Sequence, residues 1–142
     1  MSPQELKKAL IAAGFEVYRT LADEVLLADR VRDNLIMDSG VRLRASDPMQ
    51  LRVVFGLRKG EFPGEDDARL YDRVRALAEA ARGIGYAEVS SKHTALPDPA
   101  EEGLVLDTYY EIVFAKDTGD LAAAIDDLRV ALALAKIADP RR

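Results

Sequence analysis

The chain has no cysteine and no tryptophan, and a single histidine among 142 residues. Without thiols there is no disulfide, no thiolate metal site and no cysteine nucleophile, and the composition suits a reducing compartment. One histidine cannot furnish a zinc site. Long apolar runs are missing as well. Met1-Ser2-Pro3-Gln4-Glu5-Leu6-Lys7-Lys8 has no signal-peptide core. The apolar stretch near the C-terminus is broken by Asp126, Asp127, Arg129 and Lys136, too polar for a membrane span. These absences predict a cytoplasmic protein with no membrane contact. Basic excess is lacking too: 20 Lys and Arg stand against 25 Asp and Glu, a net charge of −5 at pH 7. The charges are interspersed, which gives no general attraction for nucleic acid. No glycine-rich phosphate cradle is present, and no cofactor is expected.

What is there is ordinary for a globular protein. About half the residues are hydrophobic (49%) and about a third charged (32%), which argues against disorder. The length predicts one domain over residues 1–142, able to bury roughly two-thirds of its unfolded surface.

Ser2-Pro3-Gln4-Glu5 has the form of a capping box, and Leu6, Ala9, Leu10 and Ala13 follow at helical spacing until Gly14. The period then alternates. Phe15–Thr20 and Glu24–Asp29 are candidate strands. Asn34–Met37 and Val41–Ala45 flank Asp38-Ser39-Gly40, so they form either a hairpin or one bent strand. In Gln50–Lys59 the residues Leu51, Val53, Phe55 and Leu57 share one face. Glu65, Asp66 and Asp67 suit a helix start, and Leu70, Val74, Leu77, Ala78, Ala81 and Ile84 make its stripe. Tyr86–Thr94 and Leu104–Phe114 read as strands around a long hairpin loop, Leu96–Gly103. In the second, Leu104, Leu106, Tyr110, Ile112 and Phe114 share a face opposite Asp107, Tyr109 and Glu111. Asp117-Thr118-Gly119-Asp120 then caps the closing helix. The order, α-β(3-4)-α-β2-α, predicts an α+β fold with an antiparallel sheet of about five or six strands.

The closing helix is apolar on nearly every side. Leu121, Ile125, Leu128, Leu132 and Ala135 recur at helical spacing, and Val130, Leu134 and Ile137 make a second row. Two apolar rows predict burial from two directions, the second by a partner molecule or by another part of the same chain.

Candidate chemistry is sparse. Arg42 and Arg44 alternate with Val41, Leu43 and Ala45, and Arg52 and Arg58 stand opposite in parity to the apolar face of Gln50–Lys59. Guanidinium forks on one sheet face suit a small anion. The plainer reading is a solvated face on which they meet Glu88, Asp107 and Glu111. His93 could act as a base only with a nucleophile and an orienting acid nearby. Ser91 shares its strand face and Ser90 does not, and a surface histidine is the simpler account. Glu65-Asp66-Asp67 and Asp126-Asp127 lack the ligand spacing of a calcium loop, so no metal site is expected. Tyr109 on the charged face and Phe62 in the loop Lys59–Gly64 are candidate contacts for a protein partner, with packing back over the domain the equal alternative for Phe62.

The order of elements resembles the secretion-chaperone-like fold, shared by class I chaperones of type III secretion and the bacterial YbjN family. That pattern is a leading helix, three strands, a second helix, a two-strand hairpin and a closing helix, often as a homodimer. The corresponding stretches here are Pro3–Ala13, Phe15–Lys59, Asp67–Arg82, Tyr86–Phe114 and Gly119–Ala138. The first strand run has room for four strands. The resemblance implies non-enzymatic work as a chaperone-like or adaptor protein, with a homodimer and an unidentified protein partner. Val130, Leu134 and Ile137 would then form the dimer seam. The alternative is a sensor of a small anionic ligand using Arg42, Arg44, Arg52 and Arg58.

Overall fold

Three helices and six strands follow one another as α1 (Pro3–Ala12), β1 (Val17–Leu21), β2 (Glu24–Arg32), β3 (Leu35–Arg44), β4 (Gln50–Arg58), α2 (Asp67–Arg82), β5 (Ala87–Pro97), β6 (Val105–Asp117) and α3 (Leu121–Ile137), with a 3-10 turn at Lys59–Glu61. This computed structural model describes residues 1–137, apart from the side chains of Leu77, Ala78, Ala80, Lys136 and Ile137. The strands form one antiparallel sheet in the order β1-β2-β3-β4-β6-β5. The α+β class and the element order are those expected, with four strands in the first run. Two compact units divide the described chain, residues 1–53 with 115–137, and residues 54–114.

In the first unit, α1 opens on the expected capping box. The Ser2 hydroxyl accepts from the Glu5 amide at 3.1 Å, and the Glu5 carboxylate accepts from the Ser2 amide at 3.4 Å. Its end is a Schellman motif. Phe15 N–H donates to the Leu10 carbonyl and Gly14 N–H to that of Ile11, both at 3.0 Å, with Gly14 at φ +94°. Leu6 and Leu10 are buried where α1 packs on β1 and β2.

Between β2 and β3 the turn is Asp33-Asn34, and Asp38-Ser39-Gly40 is a bulge inside one bent strand. Pairing passes from Leu26 with Arg42 to Ala28 with Asp38, so three residues of β3 stand against Leu27 alone. The Ser39 hydroxyl donates to the Leu27 carbonyl (2.8 Å) and accepts from Val41 N–H (3.1 Å), and Asp38 accepts from Gly40 N–H (2.9 Å). Gly40 sits at φ +82°, a conformation that a Cβ disfavours. Beyond the bulge Val41 and Leu43 are buried, whereas Leu35, Ile36 and Met37 near the turn are exposed.

The closing helix α3 is capped by Asp120, whose carboxylate accepts from Ala123 N–H at 3.0 Å. It packs on β3. Ala124, Leu128 and Ala131 are fully buried, while Leu121, Ile125, Leu132, Leu134 and Ala135 are partly so. The buried stripe is thus rotated from the expected one. The outer side is Ala122, Ala123, Val130 and Ala133, all exposed beside Asp126 and Arg129. Much of the helix's apolar look comes from alanine, which favours the helix and carries little area to hide.

In the second unit, α2 is capped by Asp66, which accepts from Arg69 N–H at 2.9 Å. Leu70, Val74 and Ala81 are its buried stripe, and the expected Leu77 and Ala78 lie outside the described side chains. Ile84 falls past the helix end and is exposed. Phe55 and Leu57 of β4 and Tyr110, Ile112 and Phe114 of β6 complete this core, with Phe55 edge-on to Phe114 at 5.9 Å. Leu104 and Leu106, expected on that apolar face, are exposed at the hairpin end of the strand. The hairpin loop is closed by Asp98, whose N–H donates to Leu104 O (3.0 Å) and whose carboxylate accepts from Ala100 N–H (2.8 Å).

Candidate functional site

Three features in the folded chain bear on function. The first is the polar sheet face of the first unit. Register places Arg42 opposite Arg52, and Arg44 opposite both Gln50 and Glu24, so these arginines share one face as expected. Their partners differ from those expected. Arg44 lies 3.1 Å from Glu24 and 3.3 Å from Asp23, Arg42 lies 3.3 Å from Asp38, and Arg52 is 3.9 Å from Glu24 and donates to Gln50 at 2.8 Å. The Arg44 Nε contact with Asp23 is an ion pair without hydrogen-bond alignment, and Nε of Arg42 is buried with no hydrogen bond. Asp23, Glu24 and Asp38 thus offset the charge of these three guanidinium groups, which weakens their pull on an anion. Glu88, Asp107 and Glu111 are engaged in the second unit by Arg75, Gly60 N–H and Lys92. Arg58 is exposed there.

The second feature surrounds His93. Its Nδ1 is hydrogen-bonded to the Tyr71 hydroxyl at 2.8 Å. Tyr71 stands edge-on to Tyr110 at 5.0 Å, and the Tyr110 hydroxyl donates to Asp67 at 2.5 Å. Lys59 is 3.3 Å from the same carboxylate oxygen. Asp67 and Tyr71, one helical turn apart on α2, reach β6 and β5 together. Burial and then the Asp67 hydrogen bond push the Tyr110 phenol up to about 12. The Tyr110 hydroxyl, then Lys59, hold the Asp67 carboxyl below its ordinary range. A phenol moved away from neutrality is poorly poised to exchange a proton at pH 7. This cluster therefore ties the first turn of α2 to the sheet. The Ser91 hydroxyl accepts from Arg75 at 3.4 Å, and the hydrogen bond that His93 makes through Nδ1 goes to Tyr71 rather than to a serine. Motif reading could not find the cluster, although the spacing of Asp67 and Tyr71 was a usable signal.

Of the two aromatic contact candidates, Phe62 is half-buried with the Arg73 guanidinium 4.5 Å over its ring, and Arg73 is itself paired with Glu65. Tyr109 covers Gly56 so closely that a Cβ there would stand 2.1 Å from its hydroxyl. On α3, Val130 is 53% exposed and Leu134 half-buried, while the Ile137 side chain lies outside the described residues.

The third feature is β5, last in the strand order, so that among the described residues its outer edge meets no strand. It is eleven residues long and exposed along its length except at Leu96. Val89 on it, and Leu104, Val105 and Leu106 beside it, are large exposed apolar residues. The other edge strand, β1, is five residues long with an irregular register between Val17 and Arg19, a poor template for a further strand.

Compared with family models, curated proteins and solved structures, the chain matches none. Function rests on the chain's own geometry. Among the described residues no three His, Asp or Glu side chains gather as metal ligands, and no helix is long and apolar enough to cross a membrane.

Proposed function

We propose that this chain is a non-enzymatic protein-binding module, of chaperone-like or adaptor kind, that acts as a homodimer in the cytoplasm. The observation that carries the reading is the free edge of β5. A long edge strand presents a row of unpaired amide and carbonyl groups, a template to which another strand can add. The apolar residues around it add area that an isolated chain leaves in water. The His93 cluster supports a structural role, since its tyrosine is locked to a carboxylate. The carboxylates paired with the arginine face favour this reading over anion sensing.

The test is the mass of the protein in solution. Light scattering after size exclusion is expected to give twice the chain mass at micromolar concentration, falling towards the monomer on dilution. A strict monomer up to about a hundred micromolar would refute the homodimer, that being weaker than most specific interfaces.

A further inference from the structure

The edge of β5 also specifies how a second copy would meet it, an inference that rests on the homodimer reading. Directly opposed residues of an antiparallel pair share a face of the sheet. A two-fold axis perpendicular to the sheet keeps each face on its own side. An antiparallel β5–β5 ladder across such an axis must therefore place one residue opposite its own copy. Charge selects which one.

Centring on Glu88 or Lys92 sets like charges face to face, which destabilises a sheet. Centring on Val89 sets Glu88 opposite Ser90, and centring on Ser91 sets it opposite Thr94. Only the Ser90 register, within Glu88–Lys92, sets Glu88 opposite Lys92 of the second copy, and by symmetry does so twice. It also places two small serines at the axis, Val89 opposite Ser91 and Ala87 opposite His93. Pro97, which has no N–H to give, falls beyond the paired segment.

We infer that β5 pairs antiparallel with β5 of a second copy, centred on Ser90, joining the two sheets edge to edge. Within one chain Glu88 lies 3.2 Å from Arg75 and Lys92 lies 3.2 Å from Glu111. The Lys92 side chain is 62% exposed, so its ammonium can serve both an internal and an intermolecular carboxylate. Glu88 can likewise bridge Arg75 and a lysine across the seam.

The experiment is a charge exchange read by sedimentation of the full chain. Glu88→Lys and Lys92→Glu each turn both cross-seam pairs into like charges, and each alone is expected to weaken dimerisation about tenfold. Mixed in equal amounts, the two variants restore the opposed pairs in every heterodimer and are expected to associate as tightly as the wild type. Loss of the internal Arg75 and Glu111 pairs is not repaired by mixing, so recovery isolates the seam. A wild-type dimer whose variants are unaffected, or whose mixture fails to recover, overturns this register and leaves the homodimer standing. A monomeric wild type removes both. Should a reversal unfold the chain by circular dichroism, Glu88→Gln and Lys92→Gln are expected to weaken association about threefold, and an unchanged constant overturns the inference equally.

Discussion

Removing the Tyr110 hydroxyl tests whether the cluster around His93 is a strut. In Tyr110→Phe the buried ring stays, and so does its edge-on contact with Tyr71. What goes is the 2.5 Å hydrogen bond to Asp67. Because the Asp67 side chain is 65% exposed, water takes up the vacated position and no charge is stranded. The expected cost is therefore that of one net hydrogen bond, about 1 kcal/mol. For a chain of this length that corresponds to roughly 3 °C in Tm. The pH dependence gives a second readout. With its phenol raised to about 12, folded Tyr110 keeps its proton longer than the unfolded chain, whose tyrosine titrates near 10. Its stabilising contribution is present below about pH 10 and is lost as pH rises towards about 12. Asp67 has the opposite sense: its lowered value stabilises the fold above the ordinary carboxylate range and is lost as pH falls through the folded value. Urea unfolding of Tyr110→Phe should thus show a smaller acid loss and a smaller alkaline loss than the wild type. A double-mutant cycle with Asp67→Asn should find the two changes coupled. Additive effects, or a change below about 0.3 kcal/mol at pH 7, would refute the strut.

On α3 the two apolar rows should differ sharply in urea unfolding: Leu128→Ala is expected to cost about 2–5 kcal/mol and exposed Val130→Ala about 0.5 kcal/mol or less. Equal costs would mean that Val130 is as buried as Leu128. Gly40→Ala places a Cβ at positive φ within the bulge and is expected to lose roughly 1–2 kcal/mol of unfolding free energy. A neutral result there would mean that the bulge relaxes without the glycine.

Local rules read well from the sequence where one residue meets its neighbours. The Ser2 capping box, the Gly14 stop, the acidic start of α2, the Asp120 cap and the alternation of Leu51, Val53, Phe55 and Leu57 all depend on contacts within a few positions. Partnerships across the sheet were not legible. Arg44 finds Glu24 and Asp23 because β2 pairs with β3 in a register set by the bulge, which periodicity leaves undetermined. The cluster of Lys59, Asp67, Tyr71, His93 and Tyr110 draws on four parts of the chain. The second apolar row of α3 was read from spacing alone, and its members differ: Val130 is exposed, Leu134 half-buried, and the Ile137 side chain lies outside those described. Exposure along β5 depends on its place at the end of the sheet, which its own residues do not encode.

The bulge at Ser39-Gly40 separates β3 into two stretches with different obligations. On one side Val41 and Leu43 are committed to the interior; on the other, Leu35–Asp38 pair with β2 but leave their side chains exposed. The committed stretch is held by its own pairs, Leu43 with Val25 of β2 and Leu51 of β4, whatever the length of the turn. The far end of β2–β3 is thus where a reporter sequence can be grafted with least disturbance to the buried stretch.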